Sequence, residues 1–160
     1  MPKAHVPEEV GRVLADERAT LALGARVAPW LSVGDVVALS GELGAGKTTL
    51  ARGIIAACAR LSGLSQEEVP SPTFSLVQVY EFGDLTLWHF DLYRLKSARE
   101  LEELGWEEAL SSGAAIVEWP ERAGSLLPRE RLDVRLDWDG TGRRAALTGR
   151  LRRAGLEAFR

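Results

Sequence analysis

Cysteine is almost absent from this 160-residue chain, which contains only Cys58. A single thiol excludes an internal disulfide and any metal site built from several cysteines. The amino-terminal residues also lack the features of a secretory signal. Both absences are typical of a protein in a reducing compartment, and we therefore expect a cytoplasmic location.

Long apolar runs and a strong net charge are absent as well. Each apolar stretch is interrupted by a charged residue or a glycine before it reaches the roughly 20 residues that a membrane span requires, so we expect no membrane segment. The formal net charge is −3, which gives no broad basic surface for nucleic acid. If RNA takes part in the function, we expect a partner to hold it.

The composition is that of one folded domain. Hydrophobic residues make up 46% of the chain and charged residues 27%, which is close to the average for globular proteins. We predict a single α/β domain over residues 1–160, with a mixed sheet flanked by helices. The segment 151–160 fits no periodic pattern and is predicted to be a loosely ordered tail.

The first half of the chain alternates between helix and strand patterns. Asp16 is a predicted N-cap for a helix over residues 17–30, where apolar side chains recur at helical spacing. Residues 36–39 form a short apolar run that is typical of a buried strand. After a glycine-containing loop, the apolar spacing over residues 49–61 predicts a second helix.

Strand patterns dominate the second half. The predicted elements are strands at 74–82, 85–90, 114–117 and 132–138 and a short helix at 97–110. The helix is expected to be interrupted near Gly105. Gly83-Asp84 and Asp139-Gly140 predict tight turns, the second of which begins a closing hairpin.

A glycine-rich loop separates the predicted strand at 36–39 from the helix at 49–61. Residues 41–48, GELGAGKT, match the phosphate-binding pattern G-x-x-x-x-G-K-[ST]. The glycines allow a sharp turn that points N–H groups at phosphate oxygens, and the positive end of the following helix faces the same anion. Lys47 supplies a positive charge for the β- and γ-phosphates, and the Thr48 hydroxyl is a ligand for a bridging Mg²⁺.

This loop predicts a P-loop NTPase-like fold that binds ATP or ADP together with Mg²⁺. The residues predicted to contact the nucleotide are Gly41, Glu42, Leu43, Gly44, Ala45, Gly46, Lys47, Thr48 and Thr49. A plain glycine-rich turn between strand and helix is the structural alternative.

Two acidic residues stand at the ends of predicted strands. Apolar residues lead into Asp91 in one strand and into Glu118 in another. A P-loop enzyme needs an acid at such a strand end to hold Mg²⁺ directly or through water, and a group that orients the attacking water. We predict that Asp91 and Glu118 are catalytic together with Lys47. The alternative is that each acid caps a strand in solvent or pairs with Arg94 or Arg122.

Three other features have simpler explanations. Asp137 and Asp139 suggest a metal pair, but Asp-Gly at a hairpin turn has a local structural reason. We interpret His89 as a packing or orienting residue rather than a base. Cys58 is interpreted as a buried helix residue rather than a nucleophile.

Further motifs follow the loop in a characteristic order. They are Ser71-Pro72-Thr73-Phe74, then His89-Phe90-Asp91-Leu92-Tyr93-Arg94, then Val117-Glu118-Trp119-Pro120. With the loop at 41–49, these segments resemble the bacterial TsaE (YjeE) family over about residues 13–138. The stretch 123–131 and the tail after Gly149 match no pattern of that family.

The resemblance implies a Mg-dependent ATPase required for tRNA modification. Such a protein works with the TsaB–TsaD pair, while TsaC supplies threonylcarbamoyl-adenylate, to form N6-threonylcarbamoyladenosine (t6A) at tRNA position 37. ATP hydrolysis is expected to be slow without the partners, and tRNA is expected to be contacted only indirectly.

The resemblance also implies roles for single residues. Thr48 and Glu118 would be the magnesium ligands, and Asp91 would act near the metal and the water. Three more residues would surround the nucleotide: Glu17 close to it, Thr73 in a nucleotide-sensing loop and Trp119 beside the magnesium acid.

Three other functions share the same loop. A GTPase usually selects guanine with an Asn-Lys-x-Asp segment, and this chain contains no asparagine. A small-molecule kinase could clamp a phosphate with Arg94, Arg99 and Arg122, although no acceptor site or lid is legible in the sequence. In a nucleotide-gated binding module, ATP would order residues 70–76 and hydrolysis would reset them.

Overall fold

The computed structural model of the chain describes residues 6–64 and 75–160. These residues form one seven-stranded mixed sheet with the strand order β1-β7-β6-β2-β5-β4-β3. The strands are β1 (Glu9–Leu14), β2 (Val36–Ser40), β3 (Val77–Phe82), β4 (Leu85–Asp91), β5 (Ala114–Glu118), β6 (Leu132–Asp139) and β7 (Gly142–Gly149). The helices are α1 (Glu17–Val27), α2 (Lys47–Leu61), α3 (Ala98–Glu103) and α4 (Trp106–Ser112). Short 3-10 helices cover Ala28–Trp30, Pro120–Leu126 and Leu156–Phe159.

The centre of the sheet is parallel and its edges are antiparallel. Strand β2 pairs in parallel with both β5 and β6, and β4 pairs in parallel with β5. The β2 and β5 sequences, VVALS and AAIVE, are almost continuously buried, as expected of parallel strands covered on both faces. The carboxyl ends of β2, β4 and β5 therefore meet at one edge of the sheet, where ligands bind in open α/β folds.

Helices α1 and α2 cover one face of the sheet. A Cβ on Gly24 of α1 would lie 2.6 Å from the backbone nitrogen of Ile54, and one on Gly53 of α2 would lie 2.7 Å from the carbonyl oxygen of Leu21. These two glycines allow the helix backbones to approach closely. At the start of α1 the predicted N-cap is confirmed, since the Asp16 carboxylate accepts a hydrogen bond of 2.9 Å from the amide of Ala19.

Helices α3 and α4 cover the other face over a second hydrophobic cluster. Trp106 packs edge-on against Phe90, with 5.2 Å between the ring centroids, and its Nε1 donates a hydrogen bond to the carbonyl of Leu126. The interruption predicted near Gly105 is confirmed, because Gly105 separates α3 from α4 with a φ of 96°. Side chains along β4 alternate between the faces, so Leu87 joins the α1–α2 cluster and Trp88 joins the α3–α4 cluster.

The prediction of a loosely ordered tail over residues 151–160 is wrong. Leu151 and Phe159 are fully buried and belong to the main hydrophobic cluster. The tail is also held by polar contacts, because the buried carboxylate of Asp35 accepts a hydrogen bond of 2.9 Å from the amide of Arg152. Four apolar residues spaced irregularly between arginines give no periodic pattern in the sequence, although the tertiary structure buries all four.

Two further differences concern element boundaries. Sequence analysis missed β1, an edge strand that pairs antiparallel with β7 and leaves Val13 exposed. The first strand of the predicted hairpin begins at Val77 in the structure, and the residues predicted to precede it at 74 lie outside the described part. Within residues 6–64 and 75–160, no helix combines the length and the apolar character that crossing a membrane requires.

Candidate functional site

The loop at 41–48 connects β2 to α2 at the carboxyl edge of the sheet. Gly41 has a φ of 143°, and a Cβ there would lie 2.4 Å from the carbonyl oxygen of Leu136. Gly46 has a φ of 107° and forms the left-handed N-cap of α2. Both positions demand glycine, so the loop can turn sharply into the helix and direct its free N–H groups toward an anion.

Lys47 is the first residue of α2, and its amino group lies within the turn of the loop. Its Nζ donates hydrogen bonds of 2.6 Å to the carbonyl of Gly41 and 2.8 Å to the carbonyl of Glu42. The same atom lies 4.1 Å from the ring centroid of Trp119. Burial lowers the pKa of Lys47, and the negative charges of Glu118, Glu121 and Asp91 oppose that shift.

A chain of hydrogen bonds joins α2 to two strands beneath it. The Thr48 hydroxyl donates to Oε1 of Glu118 at 2.7 Å, and Nε2 of His89 lies 2.6 Å from Oε2 of the same carboxylate. Glu118 is only 2% exposed and His89 is fully buried. Both oxygens of this carboxylate are therefore fixed by side chains from other elements.

Asp91 is the register partner of Glu118 across the β4–β5 pair. It is buried at the end of β4, and its Oδ1 accepts a hydrogen bond of 3.1 Å from the amide of Tyr93. The two acids predicted from separate strands thus stand side by side at the carboxyl edge of the sheet. They face the same cleft as Lys47 and Thr48, and its volume is about 320 Å³.

Trp119 forms one wall of this cleft directly after Glu118. It is one of two described residues other than glycine with a positive φ, at 58°. Its ring packs against Tyr93 with 4.9 Å between centroids as well as against Lys47. A left-handed conformation at tryptophan is strained, and here it turns the indole back over the loop.

A second cleft lies on the other side of the loop, with a volume of about 290 Å³. Glu17 lines it together with Thr20, Thr49 and Arg143. Sequence analysis did not identify Arg143, which extends from β7 and donates a hydrogen bond of 3.1 Å to the carbonyl of Gly44. Its guanidinium carbon lies 3.3 Å from the ring centroid of Trp138. No local motif marks this arginine, because only the β6–β7 hairpin brings it to the loop.

The other predicted nucleotide-site residues take different places. Leu43, Gly44, Gly46 and Thr49 line the main cleft, whereas the Ala45 side chain is fully buried. Thr73 lies outside the described residues. Arg94 lines the main cleft, so the sequence alternative in which it accompanies the acids agrees with its position.

The remaining alternatives are also located by the structure. Asp137 forms an ion pair of 3.0 Å with Arg135 in a partly exposed hairpin, and no group of three or more His, Cys, Asp or Glu within the described ranges could enclose a metal. Cys58 is buried in α2, and burial raises its thiol pKa to about 12. A thiol with such a pKa is a poor nucleophile near neutral pH.

The parallel strand centre, the strand-loop-helix unit and the acids at the strand ends define a P-loop-like α/β fold. The family model described as "Threonylcarbamoyl adenosine biosynthesis protein TsaE" matches residues 14–146. The chain therefore belongs to the TsaE family, as its motifs indicated.

Individual relatives agree with this assignment. The chain is 41% identical over 125 residues to the tRNA threonylcarbamoyladenosine biosynthesis protein TsaE of Rickettsia felis, a match that covers 78% of this chain and 71% of the relative. It is 39% identical over 138 residues to the TsaE protein of a Nostoc species, covering 83% and 81%. The crystal structure of Bacillus subtilis YdiB superposes with a TM-score of 0.72 at 28% identity, covering 91% of this chain and 88% of YdiB.

Proposed function

We propose that this chain is a Mg-dependent ATPase that serves t6A formation at tRNA position 37 together with the TsaB–TsaD complex. One observation carries the nucleotide part of the proposal. At the mouth of a glycine-rich loop, Lys47 and Thr48 lie beside two buried carboxylates, those of Asp91 and Glu118, in a single cleft. This combination of groups fits a triphosphate and its metal ion.

The loop would bind the phosphates through its backbone N–H groups and the positive end of α2. Lys47 would exchange the carbonyls of Gly41 and Glu42 for phosphate oxygens, because an anion is a better partner for an ammonium group than a neutral carbonyl. The side chain is already directed into the loop by its cation–π contact with Trp119. Little reorganisation is needed for this exchange.

The residues present also fit Mg²⁺. This ion prefers oxygen ligands and is usually held by one or two carboxylates or hydroxyls plus substrate phosphates, rather than by a complete cage of side chains. Thr48 and Glu118 supply a hydroxyl and a carboxylate oxygen that are 2.7 Å apart. Bound there, Mg²⁺ would neutralise charge on the phosphates, while Asp91 would hold or orient a water at the edge of the same cleft.

Slow hydrolysis by the isolated protein follows from the groups in the cleft. Its described lining contains the cations Lys47 and Arg94 and contains no glutamine. In P-loop enzymes a missing catalytic arginine lowers the rate by roughly 10³ to 10⁵. We therefore propose that the TsaB–TsaD complex completes or orders the site, so that association and hydrolysis are coupled.

The tRNA role rests on the family. The relatives are named for threonylcarbamoyladenosine biosynthesis, and a net charge of −3 supports indirect rather than direct contact with tRNA. The test is t6A formation on unmodified tRNA by purified TsaC, TsaB and TsaD with and without this chain. We expect multiple-turnover modification only when the chain and ATP are both present.

Two further measurements separate this function from its rivals. Steady-state phosphate release should be slow for the chain alone and faster with TsaB–TsaD, whereas a small-molecule kinase would form a phosphorylated acceptor. A nucleotide-gated module would support modification even after hydrolysis is blocked. Modification that proceeds equally well without this chain would contradict the proposal.

A further inference from the structure

His89 is a buried polar residue in the middle of β4, one of the least accessible parts of the molecule. Its register partner on β5 is Ile116, and Glu118 lies two residues further along that strand. Since side chains alternate along a strand, His89 and Glu118 project from the same face of the sheet, the face covered by α2. The imidazole therefore lies beneath the carboxylate, on the side away from the cleft.

The polarity of the bond between them can be deduced from the chemistry of the groups. A carboxylate only accepts hydrogen bonds, so Nε2 of His89 carries the proton and donates it to Oε2 of Glu118. Among the described residues, Nδ1 of His89 has no hydrogen-bond partner. A buried polar atom without a partner costs free energy, which an apolar side chain at this position would avoid. The sequence nevertheless places an imidazole here, with its one hydrogen bond directed at Glu118.

The carboxylate of Glu118 needs such a support. The terminal torsion of a glutamate side chain is broad, so a carboxylate held at one oxygen can rotate. Thr48 holds Oε1 at 2.7 Å, but the Thr48 hydroxyl is itself a predicted metal ligand. When that hydroxyl turns to a cation, the bond to His89 is the remaining printed contact that fixes the plane of the carboxylate.

We propose that His89 is a positioning residue, which holds Oε2 of Glu118 so that Oε1 faces the position between Thr48 and the nucleotide phosphates. The inference rests on the proposed function, because it assumes that Glu118 and Thr48 hold Mg²⁺ beside a nucleotide. Hydrogen-bond partners of metal ligands of this kind typically change metal affinity by about 10- to 100-fold when they are removed. The effect of His89 should therefore appear in the Mg²⁺ dependence of nucleotide binding.

The test compares two amide variants of similar polarity. Glutamine can place its amide nitrogen near the position of Nε2, whereas the shorter asparagine reaches only the position of Nδ1. We expect His89→Asn to raise the Mg²⁺ concentration for half-maximal binding of a non-hydrolysable ATP analogue by about 10- to 100-fold. His89→Gln should stay much closer to the unmodified chain, and both variants should keep the Mg-free affinity for the analogue.

A structural control lies on the same strand. Leu87 is fully buried and belongs to the cluster on the α2 face, but it has no role in the proposed site. Leu87→Val should lower the thermal unfolding temperature without moving the Mg²⁺ midpoint. Circular dichroism on all variants would show whether a loss of binding follows a loss of folding.

The outcomes separate the two proposals. Nucleotide binding with equal Mg²⁺ midpoints for His89→Asn and the unmodified chain would overturn the positioning role alone. Equal losses for His89→Gln and His89→Asn, in folded proteins, would also overturn it, because the restored N–H would then be irrelevant. Failure of the unmodified chain to bind the analogue with Mg²⁺ would instead overturn the proposed function.

Discussion

The hydroxyl of Thr48 and the carboxylate of Glu118 lie 2.7 Å apart although 70 positions separate the two residues in the sequence. Thr48 begins the helix that follows one central strand, and Glu118 ends the adjacent parallel strand. Parallel pairing of β2 with β5 places the ends of both strands at the same edge. The predictions below concern the groups that meet there and the contact that fixes the end of the chain.

Lys47→Ala should strongly weaken nucleotide binding. The substitution removes the ammonium group from the loop, and hydrogen bonds to charged groups contribute about 1.5 to 3 kcal/mol each. We expect the Kd for ATP, measured by calorimetry with Mg²⁺, to rise by at least roughly 10-fold. Lys96→Ala changes an exposed lysine outside the cleft and is the matched control. An unchanged ATP affinity for Lys47→Ala would remove this loop from the nucleotide site.

Glu118→Gln should separate metal binding from nucleotide binding. The amide has nearly the shape of the carboxylate but lacks its charge, so the Mg²⁺ requirement should rise by at least the roughly 10-fold seen when metal-ligand surroundings are altered. Phosphate release with TsaB–TsaD should fall, and Mg-free binding of ADP should persist. Glu103→Gln is the control, because Glu103 is exposed and pairs only with Arg99 at 3.6 Å among the ion pairs described. Equal activity at limiting Mg²⁺ would place Glu118 outside the metal site.

Trp119 should report nucleotide binding through its fluorescence. Its indole contacts both Lys47 and Tyr93, so movement of the lysine toward phosphate would change its surroundings. We expect an ATP-dependent change in emission that Trp119→Phe abolishes. Because the chain contains five tryptophans, Trp30→Phe, on the 3-10 helix after α1, serves as the control that keeps the signal. A signal that survives in Trp119→Phe would contradict the assignment.

Asp35→Ala should destabilise the fold and release the carboxyl-terminal segment. The buried carboxylate accepts hydrogen bonds from the amides of Ser32 and Arg152, both at 2.9 Å. Leaving buried donors unpaired costs roughly 1 to 3 kcal/mol, which should appear as a lower unfolding midpoint in urea. Amide exchange near Leu151 should also accelerate. Asp84→Ala, at an exposed hairpin turn, should leave both measurements nearly unchanged.

The same contact explains why the tail was mispredicted. A helix or an amphipathic strand announces itself by a period of 3.6 or 2 residues, but residues 151–160 form a bridge, a turn and a short 3-10 helix. Their burial depends on Asp35 and on the end of the sheet, which lie far away in the sequence. The edge strand β1 was missed for a related reason, because its alternation is short and a single buried partner strand decides its conformation.

The sequence by itself determined the phosphate loop, the acids at the strand ends and the family. Each of these is written in consecutive residues, since the spacing of Gly41, Gly46 and Lys47 fixes the backbone of the turn whatever lies around it. Only the tertiary structure decided which side chains meet across the strands. The bond from His89 to Glu118 and the contact of Arg143 with Gly44 depend on strand order and register. Long-range pairing of the sheet sets these positions, and no local pattern encodes them.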